Sequence, residues 1–247
     1  MPKSRVDMLL VERGLVESRA KAQALIVAGK VYHNEVKLDK PGHMIDAETP
    51  LILREAEHPW VSRGGMKLTH GLQHFNIDPA GKICLDVGAS TGGFTDVLLN
   101  GGAKKVYAVD VGHGQLDWKL RQDARVVVLE KTNARNLDNT LIPEAPELIV
   151  CDASFISLKT VLLAPLNLAS DHAHVIALIK PQFEVGKGNV GKGGVVRDEA
   201  LHAEVCDDIA TWLNGLPCWH VLGLTESPIK GPKGNTEFLI AAKKDKL

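Results

Sequence analysis

The sequence predicts an α/β protein, with a seven-stranded sheet flanked by helices and a small α+β segment ahead of it. Three observations carry that reading. Short apolar runs alternate with amphipathic helical stretches over residues 64–247. A glycine-rich turn follows the first of these runs, and a carboxylate ends the second. Before residue 54 the pattern differs, with two short helices and a hairpin in about fifty residues.

In the first segment, Val6, Leu9, Leu10 and Val11 open a short helix. A second helix follows, with Ser18 as its N-cap and Ala22, Leu25 and Ile26 on one face. Gly29 stops it, and Val31–Val36 reads as a small hairpin. The run Arg5-Val-Asp7 with Leu10, Ser18-Arg19-Ala-Lys-Ala22, Leu25-Ile26, Gly29 and Val31 resembles an S4-type RNA-binding domain over roughly residues 4–53. It departs at Glu35, where that family usually has glycine, although Asn34 can supply the turn chemistry.

Lys3, Arg5, Arg19, Lys21 and Lys30 are candidates for one basic face of the helix pair, where they would contact phosphates. Asp7, Glu12 and Glu17 dilute that face. Charges alone favour a solvated surface, and the S4 spacing reverses that preference. It implies RNA binding at Arg5, Arg19, Lys21 and Lys30. The polar, proline-broken stretch Arg54–Trp60 marks the boundary. The expected organisation is residues 1–56, a linker at 57–63, and a second domain at 64–247.

The second domain opens with a helix beginning near Ser62-Arg63-Gly-Gly-Met66-Lys67, with Met66 or Leu68, Leu72 and Phe75 facing inward. Strands are expected at 83–87, 106–110, 125–130, 148–152, 174–180, 219–225 and 236–241, and a helix at 199–213. The first strand runs into Asp86-Val-Gly88-Ala-Ser90-Thr-Gly92-Gly93, a turn where the backbone must approach a ligand closely. Asp110 ends the next strand, where an acid accepts hydrogen bonds from both ribose hydroxyls of an adenosine cofactor. A dinucleotide site wants Gly-x-Gly-x-x-Gly, and Ser90 at the middle glycine would crowd a pyrophosphate. S-adenosylmethionine has no phosphate, and Asp86 before the turn suits its ammonium end. The loop therefore reads as a Rossmann-like S-adenosylmethionine site. Gly186–Gly193 nearly fits a phosphate-binding P-loop, but Gly193 stands where a magnesium-binding hydroxyl is needed. It reads instead as a basic loop that could touch RNA.

Ligands in open α/β sheets sit at the carboxyl ends of the strands. Asp152 ends the fourth strand and Lys180 the fifth. A lysine closing the buried run Val175–Ile179 is costly unless it has partners or a task. With Lys67 upstream and Glu237 on the last strand, two amines and two carboxylates form a candidate constellation. This set, with the glycine turn, resembles the FtsJ-like 2′-O-ribose methyltransferases. The order S4 segment, Arg-Gly-Gly-x-Lys, glycine turn, Cys-Asp-x-Ser-Phe, Leu-Ile-Lys-Pro-Gln-Phe-Glu and Asn-Thr-Glu is similar to that of TlyA-type rRNA methyltransferases, a family also labelled haemolysin A.

The resemblance implies catalysis by Lys67, Asp152, Lys180 and Glu237, and S-adenosylmethionine binding by Asp86, Gly88, Ser90, Gly92 and Asp110. It also implies a cytidine ribose substrate in 16S or 23S rRNA. A lysine acts as base on a ribose hydroxyl only if its pKa falls from about 10.4. Lys67 and burial would push Lys180 down, whereas Asp152 and Glu237 would raise and orient it.

Net charge is −1 and aromatic content 4%, so an RNA footprint must be a local patch without extensive ring stacking. Cys84, Cys151, Cys206 and Cys218 lack paired spacing, as expected of thiols in a reducing compartment. With no signal-like or spanning apolar run, the expected location is the cytoplasm, with ribosomal RNA or ribosomal subunits as partners and no membrane. His70 and His74 have zinc-compatible helical spacing, but no third ligand follows and no metal is expected. Three rivals remain. A base methyltransferase usually relies on a proline-rich turn where this chain has Asp152-Ala-Ser-Phe155, or on a cysteine such as Cys151. A haemolysin would need a membrane element, and a non-catalytic RNA-binding protein would leave the polar constellation without a task.

Overall fold

The computed structural model describes residues 3–27, 29–34, 36–53 and 58–246, without the side chain of Lys187. The chain divides into two compact units, Met1–Pro59 and Trp60–Leu247. Glu35 of the expected turn and residues 54–57 of the expected boundary lie outside the described residues.

The first unit contains β1 (Lys3–Arg5), α1 (Val6–Glu12), α2 (Arg19–Val27), β2 (Val31–His33), β3 (Val36–Lys37), β4 (Met44–Asp46) and β5 (Ile52–Leu53). The Ser18 hydroxyl accepts from Lys21 N at 3.2 Å, which caps α2. Gly29 then takes φ +69°, the left-handed conformation that ends helices. Val6, Leu10, Ala22, Ile26, Val31 and Leu38 close a small core under the two helices. The hairpin pairs β2 with β3, and Asn34 in its turn adopts φ +51°. The β1–β4 ladder and the pairing of β5 with β2 are long-range contacts that local periodicity does not announce.

The second unit opens with α3 (Gly64–His74) and continues through β6 (Ile83–Val87), α4 (Gly93–Asn100), β7 (Lys105–Val109), α5 (Trp118–Arg121), β8 (Val126–Leu129) and β9 (Leu148–Cys151). It then runs through α6 (Leu158–Val161), α7 (Leu163–Asn167), β10 (His174–Ile179), α8 (Pro181–Glu184), α9 (Glu199–Asn214), β11 (Trp219–Glu226) and β12 (Phe238–Lys244). The seven strands lie in the order β11-β12-β10-β9-β6-β7-β8, parallel except for β12, which runs antiparallel to both neighbours.

Alternate residues of each central strand face opposite layers, as a pleated sheet buried on both faces requires. Cys84, Val106, Val150 and Ile176 pack with Leu68 and Leu72 of α3 and with Phe94, Val97 and Leu98 of α4. Leu85, Val87, Ile149 and Val175 pack with Leu162, Leu166 and the α9 residues Val205, Ile209 and Leu213. Leu68 rather than Met66 is the fully buried residue of α3. Glu237 immediately precedes β12 instead of sitting within it, so its expected place on the last strand shifts to the strand's entrance. The strand order reverses at the β6/β9 pair, and a crevice opens at the carboxyl ends there.

Candidate active site

β6 delivers Asp86 and then Gly88 to that crevice. Gly88 adopts φ +83°, and an added Cβ would sit 3.1 Å from the Asp152 carbonyl and the Ala153 backbone. Only glycine lets the β6 and β9 ends approach so closely. Ser90 follows at φ +49°, a strained conformation for serine. Asp110, just after β7, holds it there: Ser90 N donates to Asp110 Oδ2 at 2.8 Å, and Gly112 N donates to Oδ1 at 2.6 Å. Gly92 opens α4 at φ +95°, with Leu116 and Leu120 where a side chain would go.

Asp86 is fully buried. Its Oδ2 accepts from the Thr95 hydroxyl at 2.6 Å, while Oδ1 has no partner among the described residues. Burial pushes its carboxyl up to about 7; Thr95 opposes that rise, and the charges of Asp152 and Asp110 add to it.

A cavity of about 560 Å³ lies at the strand ends, lined by Gly88, Ser90, Lys67, Asp152, Lys180 and Glu237 among others. Of the nine expected cofactor and catalytic residues, these six share its wall, whereas Asp86, Gly92 and Asp110 do not. Lys67 Nζ donates to Glu237 Oε2 at 2.6 Å and lies 3.7 Å from Asp152 Oδ2. Asp152 Oδ1 is 2.5 Å from Lys180 Nζ, which also donates to Ser154 Oγ at 2.8 Å. The result is an alternating chain Glu237–Lys67–Asp152–Lys180 with formally balanced charge. Lys67 and Lys180 are each 6% exposed and Glu237 1%, so these three charges sit where a partner is needed, while Asp152 is partly exposed.

Several residues that sequence reasoning missed complete the site. Ser154 fixes Lys180 from the turn after β9. Asn235 is buried and staples the 191–196 loop beside Glu237: its Oδ1 accepts from Val196 N at 3.0 Å and its Nδ2 donates to Gly194 O at 2.9 Å. The segment just after the loop that resembles a P-loop is thus tied back to the entrance of β12. Phe155 adopts φ +65°, is 88% exposed, and lies 5.0 Å from Phe183 between ring centroids. Both rings line the cavity. The Cys-Asp-x-Ser-Phe motif contained Ser154 and Phe155, and their roles needed the turn's geometry to become visible.

In the first unit, Arg5 and Arg19 both bond Asp7, while Lys21 pairs with Glu17 at 2.7 Å. Lys30 follows Gly29 and is half-buried. The expected basic face is therefore not a row of independent cations. Asp7, read from sequence as a diluting surface charge, is fully buried beneath two of them. His70 Nε2 lies 3.2 Å from the Thr225 hydroxyl, and no metal-holding group of His, Cys, Asp or Glu occurs among the described residues.

The FtsJ-like methyltransferase family model matches residues 60–244, and the S4 domain model matches residues 4–50. The chain is 50% identical to the 16S/23S rRNA (cytidine-2′-O)-methyltransferase TlyA of Mycobacterium tuberculosis, across 96% of this chain and 89% of that protein. It is 43% identical to Hemolysin A of Brachyspira hyodysenteriae, across 95% of this chain and 98% of that protein. A solved structure from Streptococcus thermophilus that carries a hemolysin label is 44% identical and superposes with a TM-score of 0.75, covering 99% of this chain and 90% of its own. Family models and relatives agree along nearly the whole sequence: this chain belongs to the FtsJ-like methyltransferases, in the TlyA-type group that carries an S4 domain ahead of the methyltransferase domain.

Proposed function

We propose that this chain transfers a methyl group from S-adenosylmethionine to the 2′-hydroxyl of a cytidine ribose in ribosomal RNA, in the cytoplasm, where ribosomal subunits are its substrate. The observation that carries this reading is the ion-pair chain Glu237–Lys67–Asp152–Lys180 on the wall of a cavity that also touches the glycine turn.

The residues at the turn fit the cofactor. Asp86 Oδ1 is a buried acceptor without a donor among the described residues, which suits an ammonium group. Asp110 anchors the Ser90 turn and retains lone pairs for ribose hydroxyls. S-adenosylmethionine, when bound, supplies an electrophilic sulfonium methyl. The protein's own residues then position the nucleophile. Lys180 Nζ, set between Asp152 and Ser154, takes the proton from the 2′-hydroxyl only as the neutral amine, so it must give up its own proton before the step and ends it as the ammonium. Asp152 orients both lysines, and Glu237 fixes Lys67. Much of the rate then comes from alignment. The exposed Phe155 ring beside Phe183 supplies a surface on which the target base stacks, a common way to hold unpaired RNA bases.

Base methylation fits less well. The turn after β9 lacks the prolines expected for amine methylation, and Cys151 is fully buried with its thiol pushed up to about 12 by burial. A membrane-active role has no helix to rest on, since none among the described residues is long and apolar enough to cross a membrane. The test is to incubate purified ribosomal subunits with the protein and methyl-labelled cofactor, digest the RNA, and identify the nucleosides by mass spectrometry. Labelled 2′-O-methylcytidine is expected, and a base-methylated nucleoside would overturn the reading.

A further inference from the structure

The two expected RNA-contacting arginines of the first unit share one buried carboxylate. Arg5 donates to Asp7 twice, Nε to Oδ1 and Nη2 to Oδ2, both at 2.9 Å. Arg19 Nε and Gln23 Nε2 each donate to Oδ2, also at 2.9 Å. Asp7 is 0% exposed, while the arginine side chains are 38% and 56% exposed. Asp7 therefore cannot be a solvated counter-charge. These donors hold its carboxyl well below the usual carboxylate range, led by Arg5.

The bonds to Asp7 consume the inner edges of the two guanidiniums. No residue among those described accepts from Arg5 Nη1 or from Arg19 Nη1 and Nη2. The Arg5 head also lies against Gly42, where an added Cβ would be 3.3 Å from Nη1. Two cations on one anion leave a net positive charge with its outer donors fixed in place. Planar guanidinium forks suit phosphate oxygens in a way that a point charge does not.

We propose that Asp7 is a positioning residue for RNA: it locks Arg5 and Arg19 into a single preorganised clamp for backbone phosphate. The proposal rests on the reading that this unit binds ribosomal RNA. It carries an inference of opposite sign to simple electrostatics. Removing a negative charge from a basic surface should tighten RNA binding, whereas releasing two arginines from a shared anchor should weaken it.

The experiment uses the full chain and purified ribosomal subunits, with binding measured from 50 to 250 mM KCl at fixed magnesium. Cofactor binding and melting serve as checks on folding. Asp7→Asn is expected to weaken binding about 5- to 10-fold and to lower the slope of log affinity against log salt by about one phosphate contact, roughly 0.7–0.9. Unchanged or tighter binding by Asp7→Asn, while Arg5→Ala and Arg19→Ala both weaken it, would overturn the clamp but leave the RNA reading standing. If neither arginine variant changes affinity, the RNA reading of this unit fails as well. Arg19→Lys covers the case in which Asp7→Asn does not fold, because position 19 is exposed and the charge is retained. A lysine cannot hold Asp7 and grip phosphate together, so Arg19→Lys should lose nearly as much as Arg19→Ala. Wild-type affinity in Arg19→Lys would refute the clamp by itself.

Discussion

Asp7 in the first unit and Asp86 in the second are both fully buried carboxylates, yet their surroundings differ in kind. Asp7 accepts from Arg5, Arg19 and Gln23, and these bonds hold its carboxyl down. Among the described residues Asp86 accepts from Thr95 alone, through Oδ2, and burial lifts its carboxyl to about 7. A saturated carboxylate stabilises the fold that saturates it. An unsaturated one costs stability until a ligand supplies the missing donor. Their pH dependences therefore run in opposite directions. The contribution of Asp7 is present above the unfolded carboxylate range and is lost as pH falls through its depressed pKa. The contribution of Asp86 is present below that range and is lost as pH rises from about 4 towards 7.

Lys180 is the hardest case for this contrast, because its amine has protein partners and still lines the cavity. If position at the cavity decides its role, Lys180→Ala will bind cofactor and RNA normally but lose about 10²–10⁴-fold in single-turnover rate. Lys180→Arg should fail too, because a guanidinium cannot accept the hydroxyl proton. A near-normal rate in the arginine variant would break the base assignment.

Asp110 sharpens the contrast at the next level, since both of its carboxylate oxygens are bonded to backbone N–H groups, Ser90 of the glycine turn and Gly112 of its own loop. Asp110→Ala should weaken cofactor binding by about 1.5–3 kcal/mol, the usual worth of a hydrogen bond to a charged group. Calorimetry on the variant checks this, and unchanged affinity would confine Asp110 to loop structure. The smallest effect is expected at Phe155, whose ring is solvent-exposed. Phe155→Ala should leave cofactor affinity unchanged and reduce RNA turnover by the equivalent of about 1–3 kcal/mol of base stacking, read as methylation rate on ribosomal subunits.

Strand ends were the most legible part of the sequence. Apolar runs that stop at Asp110, Asp152 and Lys180 place those residues at the sheet's carboxyl edge by periodicity alone. Lys67 and Glu237 became candidates through motif order rather than spacing, because their 2.6 Å contact joins residues 170 positions apart. Ser154 and Asn235 escaped notice for the same reason: they act across 26 and 39 positions of sequence. Asp7 was misread because the three acids within the first twenty residues look alike on paper, and only burial separates it from Glu12 and Glu17. Gly92 was expected at the cofactor, and the structure places it at the start of α4 against Leu116 and Leu120.

The contrast between the two aspartates is tested most directly by Asp86→Asn. Cofactor titrations at pH 5.5, 6.5 and 7.5, with melting of the ligand-free protein in parallel, measure both sides of it. Wild-type affinity should climb by up to about tenfold per pH unit below 7 and then level off, as Asp86 gives up its proton. Asp86→Asn should bind roughly 10- to 150-fold more weakly at pH 7.5, with little pH dependence, the equivalent of about 1.5–3 kcal/mol. At the same pH its ligand-free form should melt several degrees higher, given ~2–4 °C per kcal/mol for a protein of this size. Wild-type affinity in Asp86→Asn, or a lower melting temperature at pH 7.5, would contradict the account.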